Sequence, residues 1–452
     1  IIMKKTILLF FVLIISCNNQ IELTDNFTLD EIKDGVIYEV NIRQYSESGH
    51  FNEFTKDIPK LRELGVKILW LMPIHPISKT KRKGTLGSYY SISDYKEVNP
   101  EFGNKEDLDR LVNEAHKHDM LVILDWVANH TGWDHSWIKS NPEFYTKNKD
   151  GEITDPINPS TGESWGWTDV ADLNFDNMDM QNKMIDAMEY WVKEHDIDGY
   201  RADAAHSCPP AFWKKSIDRL KKIKNVLMLA ESDGYHPGGF ELIELFDMSY
   251  NWSGHHELNK IAKKENNLFD LYSNINRNIK DYSSEHILMN FTSNHDENTW
   301  AGTVFDRYGE GVKTFAALTY FLPGMPLIYN GQEYGSKTRL EFFEKDSIEK
   351  QNKEYFEFYK KLNQIKKDNK ALHISKETEF EILDISTNNT TFLKRTFDGN
   401  EIYFIANLSD EPEMIYNITG DFSSLNTGNT LNFNEGFNIK PWEYHFLLKN
   451  NL

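Results

Sequence analysis

The sequence predicts an α/β protein whose main domain is an eight-stranded parallel barrel, the (β/α)8 or TIM-barrel fold. Three observations predict it. Short apolar runs alternate with helical patterns eight times between residues 35 and 370. These runs are apolar on both faces, as in residues 66–71, which is typical of parallel strands covered by helices. A long stretch without periodicity follows the third run, and residues 371–452 carry short strand patterns separated by Asn, Asp and Gly turns.

These patterns divide the chain into three regions. We expect the barrel over residues 35–370, an inserted domain, here called domain B, over residues 131–172, and a C-terminal antiparallel β-sandwich over residues 371–452. The predicted barrel strands are 36–42, 66–71, 121–125, one that begins at Gly199, 225–230, 246–250, 286–291 and 325–329. The predicted sandwich strands are 380–385, 391–395, 402–405, 416–418 and 444–448. An open doubly wound sheet is the alternative, but it would carry a Gly-rich phosphate turn after the first strand, where residues 43–45 are Arg, Gln and Tyr.

Composition excludes some partners. The formal net charge is -20, which argues against a nucleic-acid partner because phosphate binding needs a basic surface. The two cysteines, Cys17 and Cys208, are too few for a disulfide framework. Cys208 beside Pro209 is expected to be an inert free thiol in a loop. The aromatic fraction of 13% provides side chains for a core and flat faces on which sugar rings can stack.

The N-terminus has the pattern of a targeting segment. Lys4 and Lys5 precede the short apolar run 6–15, and Cys17 follows a serine at the end of that run. This arrangement resembles a bacterial lipobox, so we predict a lipoprotein signal peptide over residues 1–17, lipidation of Cys17 and a tether over residues 18–34. The protein would then be anchored to a bacterial membrane in the cell envelope, in the periplasm or on the cell surface. An ordinary secretory signal with an incidental cysteine is the alternative.

Charged and polar residues follow four of the predicted strands. They occupy residues 125–130, 201–206, 231–233 and 294–298. In a barrel of this kind the carboxyl ends of the strands form one rim, so these side chains should meet there. Several carboxylates around a sugar-sized pocket suit glycoside cleavage, in which an ionised carboxylate attacks or stabilises the reacting carbon and a protonated one donates to the leaving oxygen. Arg201, two residues before Asp203 on the same strand face, would keep that aspartate ionised.

Four motifs carry a resemblance to glycoside hydrolase family 13, the α-amylase family. They are DWVANH (125–130), GYRADAAH (199–206), LAES (229–232) and FTSNHD (291–296). The resemblance covers residues 35–452 and implies a retaining mechanism. By motif position it makes Asp203 the nucleophile, Glu231 the general acid/base and Asp296 the residue that stabilises the transition state.

The resemblance also implies a set of substrate-binding residues. Arg201, His130 and His295 would hold the sugar in the cleavage subsite, and Tyr90 would stack on it; a shift of one residue would give Tyr89 this role instead. His206 could line an acceptor subsite or simply pack. Asp94 and Asp125 would support the reacting groups, and the loop 331–343 would shape the donor subsites.

The resemblance further raises the possibility of calcium. Many members of the family hold Ca²⁺ between the barrel and domain B, and Asn129 and Asp172 match two of the oxygen ligands. Two positions depart from the common pattern. Many α-amylases carry a lysine three residues after the nucleophile and a calcium-ligating histidine at the fourth, where this chain has His206 and Ser207.

Aromatic residues outside these motifs have two possible roles. In domain B, Trp165 and Trp167 could be sugar platforms or core residues, and we expect one of them to be core. In the C-terminal domain we expect core residues rather than a starch-binding surface at Phe433, Phe437, Trp442 and Tyr444.

The sequence thus predicts a monomeric, endo-acting α-amylase whose substrate is an α-1,4-glucan such as starch or a maltooligosaccharide. An α-glucosidase, a cyclomaltodextrinase or a glucosyltransferase is the alternative, because these enzymes share the catalytic set. A catalytically inactive carbohydrate-binding or scaffold protein is a third hypothesis. The presence of all three carboxylates argues against it.

Overall fold

The computed structural model describes residues 27–158, 161–283, 285–350 and 352–450. The predicted signal peptide, Cys17 and the first part of the predicted tether lie outside these ranges. Within them, no helix combines the length and the apolar character that crossing a bilayer requires.

Eight parallel strands form a closed barrel, which confirms the predicted fold class. In chain order they are β1 (Ile37–Val40), β2 (Ile68–Leu71), β3 (Leu121–Val127), β6 (Gly199–Asp203), β7 (Leu227–Ala230), β8 (Met248–Tyr250), β9 (Ile287–Asn290) and β10 (Met325–Tyr329), with β4 and β5 in domain B. Neighbouring strands follow the order β1-β10-β9-β8-β7-β6-β3-β2. Each strand therefore ends at the same rim, where the polar motifs begin.

Successive side chains of each strand point to opposite faces of the barrel wall, so the strands contribute to two separate hydrophobic clusters. Inward residues such as Trp70, Ile123 and Leu229 fill the barrel interior. Outward residues such as Leu69 and Val122 pack under the helices. Both faces of these strands are buried, which explains why the sequence shows continuous apolar runs.

Apart from α6 in domain B, the helices lie around the barrel, and several of them begin at a capping side chain. The Asn104 side chain accepts a hydrogen bond from Asp107 N–H at the start of α5, and the Asn177 side chain does the same for Met180 N–H at the start of α7. The helices are α1 (Leu29–Ile32), α2 (Ile42–Tyr45), α3 (Phe51–Thr55), α4 (Ile58–Leu64), α5 (Lys105–Lys117), α6 (Ser136–Ser140), α7 (Met178–His195), α8 (Pro210–Leu220), α9 (Gly239–Ile243), α10 (Trp252–Ala262), α11 (Leu268–Asp281), α12 (Val304–Tyr308), α13 (Val312–Phe321) and α14 (Lys353–Asp368).

Domain B leaves the barrel after β3 and returns before α7. Strands β4 (His130–Gly132) and β5 (Val170–Asp172) pair antiparallel, with His130 opposite Asp172. Short helical segments and isolated bridges fill the excursion between them. This pairing holds the two ends of domain B against the barrel rim.

The C-terminal region consists of antiparallel strands, as predicted, but its two sheets differ in size. A six-stranded sheet has the order β11-β12-β13-β18-β15-β16, and a second sheet contains only β14 and β17. Side chains of both sheets share one hydrophobic cluster. The strands are β11 (Glu379–Ile382), β12 (Thr390–Phe397), β13 (Asn400–Asn407), β14 (Glu413–Ile415), β15 (Asp421–Ser424), β16 (Thr430–Asn432), β17 (Phe437–Ile439) and β18 (Tyr444–Lys449). The predicted strand 416–418 is wrong, because β14 ends at Ile415.

The predicted C-terminal aromatics are largely covered. Phe433 is buried, and Phe437 packs against the cluster shared by the two sheets. Trp442 and Tyr444 pack against the main cluster that includes the barrel helices. These side chains therefore serve the domain core and its junction with the barrel.

Candidate active site

Arg201 lies at the centre of the polar rim. It is fully buried on β6, and its guanidinium contacts three carboxylates that arrive from three strands. Nη1 lies 2.8 Å from Asp125 Oδ1 and 3.0 Å from Asp203 Oδ1, and Nη2 lies 2.8 Å from Glu231 Oε1. Nε donates to the hydroxyl of Tyr250. One cation thus orients both predicted reacting carboxylates.

Strand register explains this convergence. Asp125 on β3 pairs with Arg201 on β6, and Arg201 pairs with Leu229 on β7, two residues before Glu231. The approach of β6 to β7 requires a glycine at the start of β6. A Cβ on Gly199, whose φ is 151°, would lie 1.9 Å from the carbonyl oxygen of Leu227.

The backbone turns sharply after the predicted nucleophile. Ala204 adopts the left-handed conformation with φ 40° and ψ 49°, which costs an L-residue roughly 1–2 kcal/mol. In this conformation its N–H donates to Glu231 Oε2 at 2.6 Å. The strain therefore accompanies a contact that holds the predicted acid/base next to Asp203.

A second network holds Tyr90 and His295. The Tyr90 hydroxyl donates to Asp125 Oδ2 at 3.0 Å and lies 2.8 Å from His295 Nε2. His295 Nδ1 lies 2.5 Å from Glu39 Oε1, and Nε2 lies 3.3 Å from Asp296 Oδ2. Burial alone would lower the pKa of His295, but the carboxylates of Asp296 and Glu39 outweigh burial and raise it well above its usual value. His295 is therefore a cation that donates from both ring nitrogens.

The three predicted catalytic carboxyls differ in their electrostatics. Burial and the Glu231 carboxylate raise the pKa of Asp203 well above its ordinary value, against the opposing effect of Arg201. Burial also raises the pKa of Glu231, again opposed by Arg201, and Asp296 adds to the rise. Burial would raise the pKa of Asp296 too, but the His295 cation outweighs it and lowers that pKa. Asp296 is thus ionised, while Asp203 and Glu231 titrate as a pair that holds a proton more tightly than either free carboxyl.

The remaining predicted substrate-binding residues lie in the same place. His130 is buried, and its Nε2 contacts the carbonyl oxygen of Tyr90 at 3.1 Å. Burial lowers the pKa of His130 to about 4, so its ring is neutral. His206 is exposed and stacks on His236 with ring centroids 4.9 Å apart. The exposed ring of His206 lines the cavity described below rather than packing in the core.

The neighbouring residues Tyr89 and Tyr90 have different environments. Tyr90 lines the cavity and stacks near His295, with ring centroids 5.4 Å apart. Tyr89 is buried under the Arg43 guanidinium, 4.2 Å from its ring centroid. The position of Tyr90 fits the predicted stacking role. Cys208 is a buried free thiol.

A cavity of about 1090 Å³ opens above these groups. Asp203, Glu231 and Asp296 all line it. It also has aromatic and imidazole side chains that the sequence analysis did not single out, namely Tyr235, His236, Trp252, His256 and Trp300, and it includes Phe342 and Phe343 of the loop 331–343, which was expected to shape the donor subsites. Trp252 and His256 lie on α10 after β8, and Tyr235, His236 and Trp300 follow β7 and β9; only this common position after the strand ends could have pointed to them.

Neither of the two domain B tryptophans is a core residue. Trp165 is 48% exposed and Trp167 is 39% exposed. Their rings stack with centroids 6.1 Å apart, and both line the cavity. The expectation that one of them would be core is wrong, because domain B is too small to cover both faces of a stacked indole pair.

The predicted calcium ligands have free oxygen capacity. Asn129 is buried, and its Oδ1 has no hydrogen-bond partner among the described residues. Burial raises the pKa of Asp172 to about 6, and the described part of the chain contains no ion pair to Asp172. Both oxygens fit a hard cation. The same ranges contain no group of three His, Cys, Asp or Glu side chains that could hold a metal, so backbone carbonyls would have to complete the coordination.

Comparison with known proteins agrees with this geometry. A family model described as the α-amylase catalytic domain matches residues 33–228. This part of the barrel is therefore similar to an α-amylase catalytic domain. The match includes Arg201 and Asp203, and Glu231 and Asp296 lie beyond it on the same rim.

Individual relatives extend the similarity over most of the chain. α-Amylase 2 of Dictyoglomus thermophilum is 26% identical over 94% of this chain and 74% of its own length. α-Amylase MalA of Haloarcula japonica is 25% identical over 85% of this chain, which spans 56% of that relative. A crystal structure of an α-amylase from Lactobacillus plantarum superposes with a TM-score of 0.83 at 26% identity, covering 92% of this chain and 99% of that one. Other relatives, each 26% identical, are named cyclomaltodextrinase and 4-alpha-glucanotransferase.

Proposed function

We propose that this protein belongs to the α-amylase family and is a retaining hydrolase of α-1,4-glucosidic bonds in starch and maltooligosaccharides. The observation that carries the proposal is the contact of Arg201 with both Asp203 and Glu231 at the base of an aromatic-lined cavity. A cavity of about 1090 Å³ has room for more than one sugar ring. Exposed indole rings and stacked tyrosine faces bind the apolar faces of sugars.

In the first step, Glu231 donates its proton to the glycosidic oxygen while Asp203 attacks the anomeric carbon. The bond from that carbon to the leaving oxygen breaks, and an ester bond to Asp203 forms. Arg201 contacts both carboxyls and so fixes the line of attack. The ionised Asp296, held by the His295 cation, stabilises the positive charge that develops on the sugar ring.

In the second step, Glu231 removes a proton from a water molecule that attacks the same carbon. The ester bond to Asp203 breaks, and Glu231 regains its proton for the next cycle. A sugar hydroxyl in place of water would give transfer rather than hydrolysis. The relatives named cyclomaltodextrinase and 4-alpha-glucanotransferase support keeping ring opening and glucosyl transfer as the second candidate function.

Product analysis tests the reaction class. The wild-type protein is incubated with soluble starch, maltoheptaose, cyclodextrin and sucrose, and the products are separated by chromatography. We expect shorter maltooligosaccharides, released first in the α configuration, from starch and maltoheptaose. Products longer than the starting maltoheptaose would favour the transferase, and faster turnover of cyclodextrin than of starch would favour the cyclomaltodextrinase.

Asp203→Asn tests the nucleophile in the same assay. The amide cannot form the ester, so we expect kcat to fall by about 10,000-fold or more. The matched control is Asp281→Asn, which changes an exposed aspartate at the end of α11, outside the cavity; Asp94, which was expected to support the reacting groups, is exposed and does not line the cavity either. Wild-type activity in Asp203→Asn would refute the mechanism.

A further inference from the structure

We infer that one end of the cleft is closed, so that the enzyme cleaves near the non-reducing ends of its chains; this inference rests on the proposed function. The closing feature is residues 83–86, here called the strap. The strap lies in the loop after β2 and joins domain B to the loop after β10. With the cleft closed by the strap, the enzyme would release short products from chain ends rather than cleave within the chain, as the sequence predicted.

Lys83 holds the strap to domain B. Its Nζ lies 2.9 Å from Asp169 Oδ1 and donates to the carbonyl oxygen of Gly166 at 2.9 Å. Asp169 is buried and precedes β5, where domain B returns to the barrel. Both Lys83 and Asp169 line the cavity, so their ion pair forms part of its wall.

Backbone contacts hold the strap to the opposite side. Thr85 N–H donates to Glu344 Oε1 at 2.7 Å, and Leu86 N–H donates to the carbonyl oxygen of Phe343 at 3.0 Å. Gly84 has φ 63°, and a Cβ there would lie 2.4 Å from the Cβ of Phe343. The strap therefore contacts the β10 loop closely as well as bonding to it.

Arg82 fixes the base of the strap. Its guanidinium donates to the carbonyl oxygens of Ser78 and Ile77, at 2.9 and 3.0 Å, and to that of Thr85 at 3.3 Å. These bonds tie the loop back on itself. The strap is thus held at both ends and at its base.

The closed end is the donor side of the cleft. Asp203 attacks the anomeric carbon of the sugar that remains on the enzyme, and that sugar contacts Tyr90. Beyond Tyr90 lie Phe342, stacked on it with centroids 6.1 Å apart, and then Phe343, which the strap contacts. The sugar bonded through its anomeric carbon is the one nearer the non-reducing end. A donor chain that continued past the first sugars would meet the strap.

The acceptor side is open. Glu231 protonates the leaving oxygen, so the leaving chain extends toward the neighbours of Glu231. These include His206, which is exposed, and His236, whose side chain is 41% exposed. A long reducing-end chain can leave the cavity there. One closed end and one open end together favour cleavage a fixed short distance from the non-reducing end.

A chain-end block tests the inference on the wild-type enzyme. Two maltoheptaosides with a chromophore at the reducing end are compared, one with a free non-reducing end and one whose terminal 4- and 6-hydroxyls carry an ethylidene group, and their cleavage is measured by chromatography of the labelled products. We expect the block to lower kcat/KM by about 100-fold, because the modified sugar does not fit beneath the strap. Equal kcat/KM on the two substrates would overturn the inference and leave the proposed function standing. No cleavage of either substrate would overturn the proposed function, and this inference with it.

A double variant releases the strap. Lys83→Met with Glu344→Ala removes the ion pair to Asp169 and the acceptor for Thr85 N–H, and neither residue takes part in bond cleavage. We expect the blocked substrate to gain about tenfold in kcat/KM relative to the free one. Lys79→Met is the matched control, since Lys79 is exposed in the same loop and does not line the cavity. A gain of the same size in the control would contradict a specific role for the strap.

Discussion

Two buried arginines show how differently the protein surrounds the same cation. Arg201, in the barrel, contacts three carboxylates. Arg395, at the junction of barrel and C-terminal domain, donates instead to the carbonyl oxygens of Phe321, Leu322 and His373. Burial without a carboxylate lowers the pKa of Arg395 to about 9, whereas the carboxylates raise the pKa of Arg201 well above its ordinary value despite its burial.

The difference separates function from architecture. Carbonyl oxygens accept hydrogen bonds from a guanidinium but do not neutralise its positive charge. Carboxylates compensate the charge and, in return, are themselves oriented and kept reactive. A buried Arg with several carboxylates on strand ends therefore indicates chemistry, while a buried Arg on carbonyls indicates a domain junction.

Within the comparison of buried charges, the largest expected effect is at Arg201. Arg201→Lys keeps the charge, but a single ammonium cannot reach Asp125, Asp203 and Glu231 together. We expect kcat to fall by about 1,000-fold, because the two reacting carboxyls lose their common orientation. The alkaline limb of the pH–rate profile should also move, since Arg201 opposes the rise in the pKa of Glu231. Steady-state kinetics across pH measure both effects, and an unchanged profile would show that Arg201 is only structural.

A smaller effect is expected at Glu333, a buried carboxyl that forms no ion pair with any residue the structure describes. The Tyr38 hydroxyl and Gly331 N–H donate to it, yet burial raises its pKa from 4.5 to about 7. A raised folded-state pKa gives stability that is complete below pH 4.5 and is lost as pH rises through about 7. Glu333 therefore costs about 3 kcal/mol of unfolding free energy above pH 7.

Glu333→Gln removes that pH dependence. We expect the variant to gain stability over wild type as pH rises from 5 to 8, measured by urea unfolding at each pH. Glu341→Gln, at an exposed position, is the control. A constant difference between variant and wild type across this range would contradict a raised pKa at Glu333.

Arg395 completes the comparison with a modest, purely structural effect. Arg395→Met removes one donor from each of three carbonyl oxygens while removing a buried charge, so we expect a net loss of about 1–2 kcal/mol in unfolding free energy. kcat should stay within about twofold of wild type, because the active-site contacts are untouched. Denaturant unfolding measures the loss of stability, and steady-state assays on the same preparation measure kcat. A kinetic defect at Arg395 as large as that at Arg201 would erase the distinction between the two arginines.

The smallest expected effect concerns calcium at Asn129 and Asp172. Bound Ca²⁺ would join domain B to the barrel without taking part in the reaction. After chelation, adding Ca²⁺ should raise the midpoint of thermal unfolding by a few degrees in the wild type. Asp172→Ala should abolish that rise, and an equal response of variant and wild type would place the ion elsewhere.

The barrel and the rim could be predicted from the sequence because both depend on local order along the chain. Each strand is a continuous apolar run, and the residues after it, such as Asp203 and Glu231, must reach the same rim. The supporting contacts could not be predicted. Glu39 meets His295 across 256 positions of sequence, and no local pattern marks such a pair.

Loop geometry was equally hidden from the sequence. Trp165 and Trp167 are exposed because domain B offers no second layer to cover them, which their composition alone did not show. The strap depends on backbone bonds of Thr85 and Leu86, and any residue type can make such bonds. The end of the cleft that determines product length was thus beyond the reach of motif reasoning.

The central claim is that Asp203, oriented by Arg201, forms the covalent bond to the sugar. A 5-fluoro-α-glucosyl fluoride tests it most directly, because the fluorine slows release and lets the sugar accumulate on the nucleophile. Mass spectrometry of the digested enzyme should find the fluoroglucosyl group on the peptide that contains Asp203, at that residue. Attachment to Glu231 or Asp296 instead, or no attachment while the enzyme turns over normal substrate, would contradict the account.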